Sequence, residues 1–169
     1  VPVFDSKTAR QHCLLLACGN AAERFVFQSF ADRKEDKNNK ALVGTYHGTL
    51  AEAADWLAAM NMKQAGIFVT VNRTRGAGRS ADDIEAVRAV FADHDEKDGP
   101  MKAAPPLPCT FVISSGHGSH YYYVLAQPAA PAVFTPMQEA IASYLGTDDN
   151  VCDPPRVMRL AGSINWKST

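Results

Sequence analysis

Val87-Arg88-Ala89-Val90-Phe91-Ala92-Asp93-His94-Asp95 is an apolar run that ends in two carboxylates spaced i, i+2. Val90, Phe91 and Ala92 read as a buried strand, and the turn-forming Glu96-Lys97-Asp98-Gly99-Pro100 follows it. Side chains alternate along a strand, so Asp93 and Asp95 point to the same side, roughly 7 Å apart at the backbone. Two like charges there are unfavourable unless a cation sits between them. A divalent metal, which prefers hard oxygen ligands, is the usual solution. Taken alone, the pair also fits a strand end running into a solvated acidic turn.

The rest of the chain sets bounds on that choice. Its 169 residues make one domain, 1–169, with room for a core, and 46% hydrophobic with 21% charged residues is ordinary globular composition. The net charge of −1 excludes an overall basic field, so any nucleic-acid contact uses a local patch. Cys13, Cys18, Cys109 and Cys152 form no CxxC pair, which speaks against a zinc ribbon or a secreted disulfide framework and for free thiols in a reducing cytoplasm. No apolar run approaches a membrane span. The chain begins without Met and stops soon after a dense motif, which reads as a domain excised from a longer protein.

Read in order, Asp5 or Ser6 caps a helix to about Ala17. Arg24 to Phe30 and Leu42 to His47 are strands around a polar loop. Thr49-Leu50-Ala51-Glu52 is a capping box opening a helix. Gly66 to Asn72 is a strand, and Arg73 to Arg79 is a loop carrying three arginines. Ser80 to Asp83 caps a short helix leading into the Asp93 strand. Thr110 to Ser114 and His120 to Leu125 are strands around the turn Ser115-Gly116-His117-Gly118-Ser119. Pro131 starts a helix to about Leu145. Irregular alternation with two hairpins indicates an α+β fold.

Three further elements join the carboxylate pair. The glycines of the 115–119 turn let backbone N–H groups approach an anion, Ser115 and Ser119 add hydroxyl donors, and His120 can donate to a phosphate or a sugar. Asp148, Asp149 and Asp153 offer a third metal ligand or merely turn and capping acids. Arg156, Arg159 and Lys167 stand where a triphosphate can be clamped, or simply on a basic surface strand.

Together, Asp93-x-Asp95 after an apolar run, a Gly-rich turn ending in His120, Asp148-x-x-Val151 and the run Arg156 to Lys167 resemble the three motifs of the archaeo-eukaryotic primase (AEP) superfamily. They are most similar to its RepB-like replication-protein and primase-polymerase branch, carried by plasmids, phages and integrated elements. The resemblance covers about residues 24 to 167. It implies a primase-polymerase core: an RRM-like antiparallel sheet flanked by helices, with an N-terminal α/β extension and with Asp93, Asp95 and His120 on one open face. It also implies a template-dependent nucleotidyltransferase, using two Mg²⁺ or Mn²⁺ ions on Asp93, Asp95 and Asp148. Asp148 fits the family's Asp-x-x-Val spacing, and Asp153 ranks second. Ser115, Ser119, His120, Arg156, Arg159 and Lys167 would bind the nucleoside triphosphate. Asn72, Arg73, Arg75 and Arg79 would track a single-stranded DNA template. A helicase would be fused or encoded nearby.

Two other readings fit parts of the pattern. One is a non-catalytic RRM-like nucleic-acid-binding module, although carboxylates repel phosphate unless metal intervenes. The other is a rolling-circle replication nuclease, which wants His-x-His on one strand, whereas His117 and His120 lie three apart across a turn.

Overall fold

Local signals place most elements of the computed structural model, which describes residues 3 to 168. Asp5 caps helix α1 (Ser6–Leu16), its carboxylate accepting from the Lys7 and Thr8 N–H groups. Strands β1 (Phe25–Ala31) and β2 (Gly44–Gly48) follow. The Thr49/Glu52 capping box opens α2 (Leu50–Met62), which leads to β3 (Ala65–Thr70). Next come β4 (Arg73–Thr74), β5 (Ile84–Asp95), β6 (Phe111–Ser114) and β7 (Gly118–Ala129). Helix α3 (Phe134–Leu145) and β8 (Val157–Arg159) complete the set.

Two departures from expectation have clear causes. Ser80 to Asp83 opens no helix proper. The Asp83 carboxylate takes the Ser80 N–H and hydroxyl at 2.7 Å each and closes a single 3₁₀ turn, after which β5 runs unbroken for 12 residues. Pro131 likewise starts a 3₁₀ turn, and α3 begins at Phe134.

The fold is α+β, and its strands pair antiparallel in two four-stranded sheets. They are ordered β2-β1-β3-β8 and β4-β5-β7-β6. The chain divides into two compact units: 1–70 with 76–78 and 157–169, and 71–75 with 79–156.

The first unit holds the first sheet with α1 and α2. Its core includes Phe25, Phe27, Leu57 and Ile67, each almost fully buried and each worth about 1.5–3 kcal/mol by transfer. Asp32 and Arg159 form a deeply buried ion pair in it. The guanidinium donates twice, at 2.9 and 2.7 Å, and lies 4.8 Å from the Phe68 ring centroid.

The second unit centres on β5. Tyr122 is fully buried and stacks on Phe111 at 4.6 Å, with Phe91 5.7 Å away and Phe134 packing against Phe91. Beyond the short β4 pairing, α3 covers the free edge of β5. Gln138 Oε1 accepts the Phe91 N–H at 2.8 Å, which satisfies a donor that pairing with a neighbouring strand would otherwise take. Among the described residues no helix is long and apolar enough to cross a membrane. None of the four cysteines is in a disulfide.

Candidate active site

The site is built where β5 ends. Antiparallel register sets Asp93 directly opposite His120 on β7, and Ile113 of β6 opposite His120 in turn. Residues directly opposite each other share a face, so the two side chains meet, with His120 Nε2 3.5 Å from Asp93 Oδ1. The face is not open at this point: His120 is buried.

The turn joining β6 and β7 has to fold tightly. Gly116 has a φ of +90°, and Ser115 N–H donates to Gly118 O at 2.9 Å. A Cβ on Gly118 would lie 2.1 Å from His94 O, so this glycine is required by the close approach of β5. Gly118→Ala is expected to lose on the order of 1–3 kcal/mol of stability by chemical denaturation, because the obstructing atom is backbone. A variant as stable as the parent would show that the turn relaxes freely.

Helix α3 brings a third acid to Asp93. Its C-cap, Gly146, adopts the left-handed conformation at φ +70°, which turns the chain back. The Asp148 N–H then donates to Asp93 O at 3.0 Å. Asp148 Oδ1 accepts from the Asn150 N–H and amide at 2.9 and 2.8 Å.

Electrostatics separate the two acids of β5. Burial pushes Asp93 up to about 6, helped by the negative charges of Asp95 and Asp148. Asp95 goes the other way, held low by the Lys97 ammonium at 2.6 Å. The repulsion within the pair is therefore borne by the buried member, and the exposed member stays ionised.

Arg156 lies close enough to Asp93 to oppose the rise of its pKa. Its Nε donates to Asp153 Oδ1 at 2.6 Å, and its Nη2 reaches both Asp153 and Asn150 O. Asp153 thus braces Arg156, whereas Asp148 is the acid beside Asp93. Neither the Lys97 contact nor this brace was anticipated from sequence. The i, i+3 spacing of Asp153 and Arg156 was the available signal.

Several candidate residues sit elsewhere. Ser119 faces His94 across the ladder, so alternation puts its hydroxyl on the opposite side of the sheet from Asp93 and His120. Asn72 is fully buried, which removes it from any template contact. Its amide donates to Pro154 O at 3.0 Å, and Arg79 Nη1 donates to Pro155 O at 2.9 Å. Arg75 is exposed and Arg73 half-buried. Arg159 and Lys167 belong to the first unit. Arg159 is committed to Asp32 and does not present a free guanidinium to a phosphate. Lys167 is exposed.

Three carboxylates crowding one another form a donor set that suits a hard divalent cation. They do not form a ready cage. With Asp95 turned to Lys97, no three His, Cys, Asp or Glu side chains among the described residues converge closely enough to hold an ion.

No family model matches the chain. The replication protein of Clostridium perfringens is 28% identical to it over an alignment of 144 residues that covers 73% of this chain and 34% of that protein. The chain thus spans about a third of that relative's length. The AEP domain of the primase-polymerase of cyanophage S-2L has a TM-score of 0.69 and 25% identity, covering 95% of this chain and 83% of that one. The catalytic domain of the primase RepB′, solved in complex with initiator DNA, has a TM-score of 0.64 at 15% identity, over 95% of this chain and 78% of that one; this second likeness concerns the fold alone. With its antiparallel sheets and helices, the chain shares the fold of the archaeo-eukaryotic primase (AEP) domain and is similar to primase-polymerases.

Proposed function

We propose that this domain is the catalytic part of a replication primase-polymerase, a template-dependent nucleotidyltransferase acting in the cytoplasm for a plasmid, phage or other mobile element. The observation that carries the reading is the meeting of Asp93, Asp148, His120 and Arg156 at the end of one strand, on a fold shared with primase-polymerase domains. Phosphoryl transfer needs positioning and charge neutralisation more than covalent chemistry, and these residue types supply both.

In this reading Asp93, Asp95 and Asp148 would hold Mg²⁺ or Mn²⁺, two ions in all, which would supply charge neutralisation at the triphosphate and acidification of the attacking hydroxyl. The chain's own residues do the rest. Arg156, braced by Asp153 and near enough to Asp93 to oppose the rise of its pKa, binds the triphosphate as a planar fork. His120, fixed by its place in the ladder beside Asp93, donates Nε2–H to a phosphate oxygen or the sugar. Ser115 lies on the same turn and assists. The exposed Arg75 and its neighbour Arg73 contact the phosphates of a single-stranded template. A helicase elsewhere in the replication apparatus would open the duplex.

The assay that tests these assignments separates nucleotide from template. Arg156→Ala is expected to raise the nucleotide concentration needed for primer extension by about 10-fold or more, with template affinity unchanged. Arg75→Ala is expected to weaken single-stranded DNA binding about equally for all sequences and to reduce its salt dependence. Anisotropy with labelled DNA and titration of nucleotide during extension measure the two. The opposite pattern would exchange the roles of the two arginines.

A further inference from the structure

Three consecutive carbonyls, those of Pro154, Pro155 and Arg156, are each held by a donor from one short stretch of chain. Asn72 Nδ2 holds Pro154 O at 3.0 Å, Arg79 Nη1 holds Pro155 O at 2.9 Å, and the Val71 N–H holds Arg156 O at 3.1 Å. Pro154 and Pro155 have no N–H of their own, so each can be tied through its backbone only at its carbonyl.

The holder is itself locked. Asn72 Oδ1 accepts the Arg88 N–H at 3.3 Å. The buried Arg88 guanidinium donates to Val71 O at 2.6 Å and to Asn72 O at 3.1 Å. A rigid proline turn tied at three successive points fixes where Arg156 leaves the backbone, and Asp153 then fixes where its guanidinium points.

Resting on the reading of Arg156 as a triphosphate ligand, we propose that Asn72 and Arg79 are positioning residues for nucleotide binding. They act through the 154–156 turn and do not contact the template. Misplacing a binding group by about 1 Å can cost on the order of 10²-fold, so loss of either tie is felt at the nucleotide and not at the DNA.

The test is a double-mutant cycle on the chain, read in primer extension with Mn²⁺ and separately by anisotropy with a labelled single-stranded DNA. Asn72→Ala and Arg79→Ala are each expected to raise the nucleotide KM by about 10-fold, with smaller change in kcat and with DNA affinity kept. Arg156→Ala is expected to raise it at least as much. Asn72→Ala/Arg156→Ala is expected to match Arg156→Ala alone, because the tie has nothing left to position. Arg79 is less buried than Asn72, so Arg79→Ala keeps the test open should Asn72→Ala fail to fold.

Additive effects of Asn72→Ala and Arg156→Ala, or a loss of DNA affinity with KM unchanged, would overturn the positioning role while leaving the functional reading intact. An Arg156→Ala variant with unaltered nucleotide KM would instead overturn the functional reading on which the proposal stands.

Discussion

Asp93→Asn is expected to abolish nucleotide incorporation while making the metal-free protein more stable at neutral pH. The sign follows from the direction of the shift. Burial and the charges of Asp95 and Asp148 raise Asp93 from 3.8 to about 6 in the folded state. A raised carboxyl contributes stability while it is protonated. That contribution is fully present below about pH 4 and is lost as pH rises through about 6. The gap is worth up to ~3 kcal/mol. Asparagine keeps the shape, cannot ionise and escapes the loss. The parent and the variant should therefore be close in stability at pH 4, and the variant should lead at pH 7. Denaturant unfolding at the two pH values, in chelator, measures this. Other carboxylates held low, Asp5 and Glu52 among them, move both proteins alike and drop out of the difference.

Asp95→Asn is expected to lose activity with a smaller gain, because it removes only the part of the Asp93 shift that the Asp95 charge supplies and gives up the Lys97 contact. A gain from Asp95→Asn with none from Asp93→Asn would mean that the strain sits on the other acid.

Asp32→Ala is expected to destabilise the chain by about 3–5 kcal/mol, the cost of leaving a buried charge without its partner. The carboxylate takes both arms of Arg159 and also the Trp166 N–H at 3.1 Å. Its removal strands the guanidinium in a site where the Arg159 side chain is 8% exposed. The measurement is the midpoint of chemical denaturation at unchanged slope. Near-parent stability with a large rise in nucleotide KM would return Arg159 to the triphosphate role its motif implied.

The elements and the acid pair were largely legible because their signals are local. The Thr49/Glu52 box, the Asp5 cap and the alternation through Phe25 to Phe30 each depend on residues within a turn or two. Strand β5 was read too short. Glu85 and Arg88 interrupt its apolar run, and Arg88 is buried only because it finds the carbonyls of Val71 and Asn72, a partnership across 16 residues or more that no local pattern carries. Asn72 misled for the same reason. A polar residue beside three arginines reads as surface until its partner, a proline carbonyl 82 positions away, is known.

The meeting of Asp93 with His120 depends on register, which the Gly118 contact with β5 pins down. The choice between Asp148 and Asp153 depends on the length of α3 and its left-handed cap, which together deliver Asp148 to Asp93 and leave Asp153 to Arg156. The pairing of Arg159 is not legible in sequence, because the motif that contains it cannot reveal Asp32, 127 residues upstream.

We propose that these residues make a template-directed nucleotidyltransferase. The most direct measurement incubates the chain with a single-stranded template of defined sequence, labelled nucleoside triphosphates and Mn²⁺ or Mg²⁺, with and without primer, beside the Asp93→Asn variant. Products are expected whose composition follows the template and that vanish in the variant and in chelator. Incorporation indifferent to template sequence, or undiminished by Asp93→Asn, would contradict it.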